Sequence, residues 1–219
     1  MPEVTNVCAG PFGRFYNFYI ERPWLAQLLG RVVWGIDVAP LYASMAAISA
    51  LSDDATVLDV PCGGGVALRA LRPGQRLRWI AVDIDPPMLA RCERRARERG
   101  LGGDALQLVA ADMRALPLAD ACADLALAYS GLHMVTEPAT AIAEIVRCLK
   151  PGGELIGSTF LADGSWRQRT LLGHGEDTGV NGTLGTSAEL RAWLEDAGIA
   201  DVEIAPECGF TIFRGRRAG

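Results

Sequence analysis

The stretch Val57-Leu-Asp-Val-Pro-Cys-Gly-Gly-Gly65 decides the fold of this 219-residue chain. An apolar run that ends at a carboxylate is typical of a buried parallel strand, and the glycines after it predict a tight turn into a helix. Glycines in such a turn let the backbone approach a ligand without a Cβ in the way. Ligands of open α/β sheets bind at the carboxyl ends of strands, so the stretch indicates a binding site. A strand-to-helix turn without a ligand is the alternative interpretation.

A second acidic strand end follows at an informative distance. Residues 77–82 predict a strand, and Asp83 lies 18 positions beyond Gly65. That is about the offset at which an acid reaches a ribose diol in doubly wound folds, where a carboxylate accepts from both hydroxyls. Asp85 is better suited to a helix cap. Leu68 stands where the dinucleotide fingerprint needs Gly or Ala, which disfavours a nicotinamide dehydrogenase.

Strands and helices alternate along most of the chain. Helices are predicted at 65–71, 87–99, 139–149 and 187–197, and strands at 56–60, 77–82, 105–110, 125–129, 154–160, 202–205 and 210–214, with 151–153 as a turn. Short links imply right-handed βαβ crossovers and a parallel sheet that is covered on both faces. The last two strands are too close for a crossover and should form an antiparallel hairpin. The prediction is a helical N-terminal cap over 1–50 and a doubly wound α/β domain over 51–219.

Composition excludes several classes of protein. Half of the residues are hydrophobic, which excludes a disordered chain, and the net charge of −5 disfavours broad nucleic-acid binding. The six cysteines have no C-x-x-C spacing and predict reduced thiols in a cytoplasmic protein. We expect no signal peptide, no membrane span and no metal site. Arginine and glutamate over 91–99 predict a solvated helix face.

Five stretches together resemble the class I S-adenosylmethionine-dependent methyltransferases, over about residues 55–215. They are Val57-Leu-Asp-Val-Pro-Cys-Gly-Gly-Gly65, Val82-Asp-Ile-Asp-Pro-Pro-Met-Leu89, Ala110-Ala-Asp-Met-Arg-Ala-Leu-Pro-Leu118, Asp124-Leu-Ala-Leu-Ala-Tyr-Ser-Gly-Leu-His133 and Leu149-Lys-Pro-Gly-Gly153. Pro61 departs from the pattern, because the family usually has its first turn glycine there. The resemblance implies a Rossmann-like, seven-stranded mixed sheet of order 3-2-1-4-5-7-6 with strand 7 antiparallel.

The same resemblance implies S-adenosylmethionine as the cofactor, with S-adenosylhomocysteine as the product. Asp59 would hold the methionine amino group, and Gly63 and Gly65 would line the methionine and ribose side. Asp83 would bind the ribose, and Ile84 would pack on the adenine face.

Two further strand ends complete the expected cofactor site. Asp112 resembles the acid that accepts from the adenine amino group, and the Met113 backbone N–H would reach an adenine ring nitrogen. Tyr129 and Ser130 would border the methionine moiety and the reactive methyl group.

Candidate catalytic and acceptor-binding residues are fewer. His133 follows the fourth strand, and an ordinary pKa of about 6.5 would suit a general base; a structural histidine is the alternative. His174 lies in a long glycine-rich segment that also carries Trp166, and Tyr16 and Tyr19 lie in the predicted cap. These four residues are the candidates for acceptor binding, although aromatic residues also seal caps against cores.

The predicted function is methyl transfer to a small, apolar or aromatic acceptor, as in quinone- or lipid-modifying enzymes. Methylation of RNA or protein is a second hypothesis, and a catalytically inactive S-adenosylmethionine-binding protein is a third. The arginines at 214, 216 and 217 leave peripheral contact with anionic lipid open. Nothing in the sequence indicates the oligomeric state.

Overall fold

The computed structural model describes residues 22–166, 168, 170, 182–206 and 209–219. Short helices come first: α1 (Pro23–Leu29) continues into a π-helical turn (Gly30–Trp34), and α2 (Ala39–Ser44) and α3 (Ala46–Ala50) lead to the sheet. The division of the chain at residue 50 stays a prediction. Within the described ranges, no helix is long and apolar enough to cross a bilayer.

A seven-stranded sheet forms the centre of the molecule. Its strands are β1 (Thr56–Asp59), β2 (Arg78–Asp83), β3 (Leu106–Ala110), β4 (Ala123–Tyr129), β5 (Leu149–Phe160), β6 (Ile199–Ala205) and β7 (Phe210–Arg217). The spatial order is β3-β2-β1-β4-β5-β7-β6, and β7 runs antiparallel to both of its neighbours. Both the predicted order and the predicted terminal hairpin are confirmed.

Helices cover both faces of the sheet. They are α4 (Pro86–Glu98), α5 (Pro138–Cys148) and α6 (Ser187–Asp196). Because successive side chains of a strand point to opposite faces, β1 contributes to two cores. Leu58 packs in the cluster with Ile145 of α5, and Val57 packs in the cluster with Leu89 of α4. Burial on both faces explains why these strands read as continuous apolar runs.

The structure corrects the helix predicted at 65–71. That segment is only a short 3-10 helix, Val66–Ala70. Gly65 is left-handed before this helix, and Leu71 is already extended after it. Pro73 follows two residues later, and the residue before a proline is biased away from helix, so nothing supports further turns.

The start of β5 is a second correction. The strand begins at Leu149 rather than at residue 154, and the predicted turn at 151–153 lies inside its span. Ala123 of β4 pairs with Leu149, whereas Leu125, only two residues later, pairs with Glu154. The extra residues bulge out at Gly152, whose φ is +77°.

Two of the C-terminal arginines, both on β7, have partners on β5 and α5. Arg214 donates to Glu154 at 2.5 Å, and Arg217 donates to the carbonyl of Arg147 at 3.1 Å. These contacts occupy guanidinium N–H groups that a lipid headgroup would otherwise accept from. Peripheral membrane contact stays a prediction.

Parallel pairing brings the carboxyl ends of neighbouring strands to one edge of the sheet. Asp59 at the end of β1 pairs with Ala81 of β2 and Leu127 of β4, and Asp83 at the end of β2 pairs with Ala110 of β3. The candidate site is built at this edge.

Candidate functional site

The glycine turn after β1 is fastened to β2. Cys62 N–H donates to the carbonyl of Val82 at 2.8 Å, and both Gly63 and Gly65 have positive φ. A Cβ on Gly65 would lie 3.1 Å from the Cα of Cys92 in α4, whereas a Cβ on Gly63 would meet nothing within 4 Å. Packing against α4 therefore requires Gly65, and the open side of the turn is at Gly63.

Asp83 holds the turn from the tip of β2. Its carboxylate accepts from the N–H of Gly63 at 2.8 Å and from the N–H of Asp85 at 2.9 Å. Burial raises the pKa of Asp83, and these N–H groups oppose the increase. Each carboxylate oxygen has two lone pairs, so the group can still accept from a diol. Ile84, next in sequence, leaves 51% of its surface exposed.

Asp59 is the least satisfied group of the site. It is 2% exposed, and its Oδ2 is buried without a hydrogen-bond partner among the described residues. Burial, and then the negative charge of Asp83, raise the pKa of Asp59 to about 8, against a smaller opposing effect of the Trp79 indole. A buried acceptor without a donor costs free energy. An ammonium group beside Oδ2 would satisfy it.

Arg114 occupies the carboxylate that was expected to bind adenine. It donates from Nη2 to Asp112 Oδ2 at 2.6 Å, from Nε to both oxygens, and from its backbone N–H to Oδ1. These bonds use the available lone pairs and lower the pKa of Asp112. An adenine amino group would have to displace the guanidinium. Sequence reasoning missed Arg114, although it lies only two residues beyond Asp112, next to the buried Met113.

The tip of β4 is tied to the N-terminal helices. The hydroxyl groups of Tyr129 and Ser44 of α2 lie 2.9 Å apart, and burial raises the pKa of Tyr129. Ser130 is left-handed, and its N–H donates to the carbonyl of Ser158 at 2.8 Å. Ser44 therefore belongs to the wall of the site, a role that its sequence context did not indicate.

His133 is buried, and burial moves its pKa away from the ordinary value. It is 9% exposed, its ring makes an edge contact with Phe160 at 5.2 Å, and its Nδ1 lies 3.5 Å from the hydroxyl of Thr159. Burial lowers the pKa of His133 to about 4 rather than leaving it near 6.5. The imidazole is neutral at physiological pH and has polar and aromatic contacts. This arrangement fits a structural histidine as well as a weak base.

Pro61 and Gly131 are packed tightly together. A Cβ built on Gly131 would lie 2.2 Å from the Cδ of Pro61. The proline ring that replaces the family's first turn glycine thus fits because residue 131 has no side chain. The two residues join the turn after β1 to the loop after β4.

Only one of the four acceptor-binding candidates lies in the part of the chain that the structure describes. Trp166 is described and is 71% exposed. Tyr16, Tyr19 and His174 lie outside the described residues. In the part of the chain that is described, no group of three or more histidine, cysteine, aspartate or glutamate residues could hold a metal ion.

The end of the long segment after β5 returns to the tip of β4. Gly182 N–H donates to the carbonyl of His133, and Thr183 N–H to that of Val135, both at 2.9 Å. Gly182 and Thr183 therefore lie beside the loop that follows β4.

Comparison with known proteins agrees with this architecture. Residues 58–157 match a family model described as a methyltransferase domain. A tRNA U34 carboxymethyltransferase of Serratia proteamaculans is 34% identical over 203 residues, which cover 91% of this chain and 57% of that protein. An uncharacterized chloroplastic methyltransferase of Arabidopsis thaliana is 30% identical over 169 residues, covering 75% of this chain and 46% of that protein. The chain thus spans about half the length of these relatives.

A solved structure has the same fold at low sequence identity. Phosphoethanolamine N-methyltransferase 2 of Haemonchus contortus, in complex with S-adenosyl-L-methionine, aligns with a TM-score of 0.67 and 12% identity over 81% of this chain and 53% of its own. The matched domain and the sheet order together show that the chain belongs to the class I S-adenosylmethionine-dependent methyltransferases.

Replacement of Asp59 by asparagine should change how stability depends on pH. A carboxyl group whose pKa is about 8 in the folded state and about 3.9 unfolded stabilises the fold fully below pH 4, and this contribution is lost as pH rises towards 8. Between pH 5 and pH 8, wild type should lose at least about 1.4 kcal/mol more unfolding free energy than Asp59→Asn, which corresponds to a tenfold change in proton affinity. Urea unfolding at both pH values measures this. Equal losses in both proteins would show that Asp59 ionises normally.

The contact between Pro61 and Gly131 gives a double-mutant test. Gly131→Ala should lower the unfolding free energy by about 1–3 kcal/mol, because the new methyl group overlaps the proline ring. In a Pro61→Gly background the same change should cost about 1 kcal/mol less, since the ring is gone. Urea unfolding of the four proteins gives the coupling. If the two changes in unfolding free energy simply add in the double mutant, the two side chains do not interact.

Proposed function

We propose that the chain binds S-adenosylmethionine at the tips of β1 and β2 and transfers its methyl group to a small, apolar or aromatic acceptor. The observation that carries the proposal is the buried Oδ2 of Asp59, an acceptor without a donor, beside a turn that is open at Gly63. The relatives and the matched methyltransferase domain support the same reaction class.

The residues present fit most of this cofactor. Asp59 would accept from the methionine ammonium group, and Asp83 would accept from the ribose hydroxyls. The exposed side chain of Ile84 would cover one face of the adenine. When bound, the cofactor supplies a methyl group that is already activated on sulfur, so the protein mainly orients the acceptor and excludes water. Asp112 fits less well, because Arg114 already occupies its oxygens.

A proton must be removed only if the acceptor atom carries one. His133 is the candidate base, and its buried, neutral imidazole could take a proton from an acceptor that reaches the loop after β4. Tyr129 and Ser130 would position the reacting groups at the same edge. On the acceptor side, Trp166 remains the described candidate.

A tRNA acceptor is the second candidate, because a relative at 34% identity is a tRNA U34 carboxymethyltransferase. The net charge of −5 favours the small acceptor.

We propose a cytoplasmic location, since the described cysteines, including the buried Cys62, Cys92 and Cys148, are free thiols.

An assay for the formation of S-adenosylhomocysteine separates the two acceptors, with a panel of hydroxylated aromatic compounds tested beside total tRNA. Cofactor binding without turnover on either would leave a binding protein.

Asp83→Ala should weaken binding of S-adenosylmethionine by about 1–3 kcal/mol, through loss of charge-assisted hydrogen bonds. Calorimetric titration measures the affinity, and circular dichroism checks the fold. Asp104→Ala removes an exposed aspartate from the 3-10 turn before β3 and is the matched control. An affinity unchanged in Asp83→Ala, with an intact fold, would contradict the assignment.

His133→Ala should slow turnover at least about a hundredfold while cofactor affinity stays nearly constant, if the imidazole removes a proton. The wild-type rate should be flat above pH 5 and fall towards pH 4, because the base must be neutral and its pKa is about 4. Phe160→Leu removes the ring contact but not the base, and it should keep most of the rate. Wild-type turnover in His133→Ala would assign the histidine to structure alone.

A further inference from the structure

A cavity of about 280 Å³ lies on the α4 side of the glycine turn. None of its lining residues takes part in the proposed methyl transfer. Its lining residues are Arg22, Val66, Arg69, Arg95, Glu98 and Arg99. Four of these six side chains carry a guanidinium group, in a protein whose net charge is −5. Such a concentration of positive charge on the wall of one cavity predicts an anionic ligand.

Three of the arginines are positioned by backbone carbonyls and an aromatic ring. Arg95 donates to the carbonyl of Gly64 at 2.7 Å, and Arg99 donates to the carbonyl of Arg69 at 3.3 Å. The guanidinium of Arg69 lies over the ring of Tyr42, 4.9 Å from its centroid. These contacts fix the directions of the side chains, so the donors are arranged before a ligand arrives.

One donor of the cavity wall lacks a partner. Arg69 Nη1 is buried, and no hydrogen-bond acceptor reaches it within the described ranges. Glu98 is the one carboxylate among the described lining residues; its side chain is 66% exposed and lies 4.0 Å from Arg94, which is not a lining residue. The described lining therefore holds a buried cationic donor at Arg69, and an oxyanion is a partner of the kind that this donor lacks.

Helix α4 separates two kinds of arginine that look alike in the sequence. Arg97 pairs with Glu93 at 2.6 Å and is 69% exposed, as expected for a solvated face. Arg95 and Arg99 are four residues apart and so share the face that lines the cavity. The exposed i,i+4 pairs agree with the solvated face predicted for residues 91–99, and Arg95 and Arg99 in addition line the cavity.

We propose that this cavity is a binding site for a phosphate group, carried by a phosphorylated small molecule or by an RNA backbone. Guanidinium forks bind phosphate oxygens in pairs, which gives both attraction and orientation. The site is separate from the donor site proposed above, and it neither needs nor excludes methyl transfer. The hydrogen bond from Arg95 to the carbonyl of Gly64 connects the cavity to the glycine turn.

Calorimetric titration of the full chain with inorganic pyrophosphate tests the proposal. Arg69→Gln and Arg99→Gln should each weaken binding about tenfold or more, since each removes a charge-assisted hydrogen bond. Arg99 is exposed, so its variant should fold even if Arg69→Gln does not. Arg97→Gln removes the same charge from the same helix outside the cavity and should bind like wild type. Glu98→Gln should bind more tightly, because it removes a negative charge from the lining of the cavity.

Three outcomes would overturn the site: no pyrophosphate binding, equal losses in Arg99→Gln and Arg97→Gln, or displacement of pyrophosphate by S-adenosylmethionine, which would make the cavity part of the donor site. Two further arms identify the source of the phosphate. Binding of tRNA that pyrophosphate displaces and that Arg99→Gln weakens supports an RNA backbone. Displacement of pyrophosphate by phosphorylated small molecules, with no such tRNA binding, supports a free ligand.

Discussion

The hydrogen bond from the Gly63 N–H to the carboxylate of Asp83 is the contact on which the site depends. It joins the turn after β1 to the tip of β2 at a point where both strands are buried on both faces. Parallel strands supply no hydrogen bonds beyond their last paired residues, so the loops that follow need other partners. The carboxylate of Asp83 accepts from Asp85 in the loop after β2 and from Gly63 in the turn after β1. The edge of the sheet is thereby shaped before any ligand binds.

The position of Asp83 makes ionisation of Asp59 less favourable. Two carboxylates lie close together in a buried edge, and only Asp83 has several N–H donors. Asp59 is left with a raised pKa and an unsatisfied oxygen. Buried groups of this kind are retained where a ligand supplies the missing partner, and they make the unliganded protein less stable than it could be. A cationic group bound at the edge would lower the pKa of Asp59 and release its proton near neutral pH.

Arginines organise the loops around that edge from two directions. Arg114 holds the loop after β3 to residues that follow β4, through Asp112 and the hydroxyl of Thr136 at 3.0 Å. Arg95 holds the carbonyl of Gly64 from α4. Both side chains connect segments that lie far apart in sequence. The loops of the site are therefore connected to one another and to α4 rather than being independent.

Much of the fold could be predicted because its signals are local. Apolar runs, glycine turns and the spacing of Asp59, Asp83 and Asp112 are properties of short segments, and parallel pairing then places their ends at one edge. The contacts that the sequence did not indicate share a different cause. The burial of His133 by Phe160, the occupation of Asp112 by Arg114 and the contact of Tyr129 with Ser44 depend on which side chains meet after the sheet has formed. The sequence by itself determined which acids stand at the strand ends. Only the tertiary structure decided which of them keeps a free oxygen, because desolvation and hydrogen-bond partners are set by packing between distant segments.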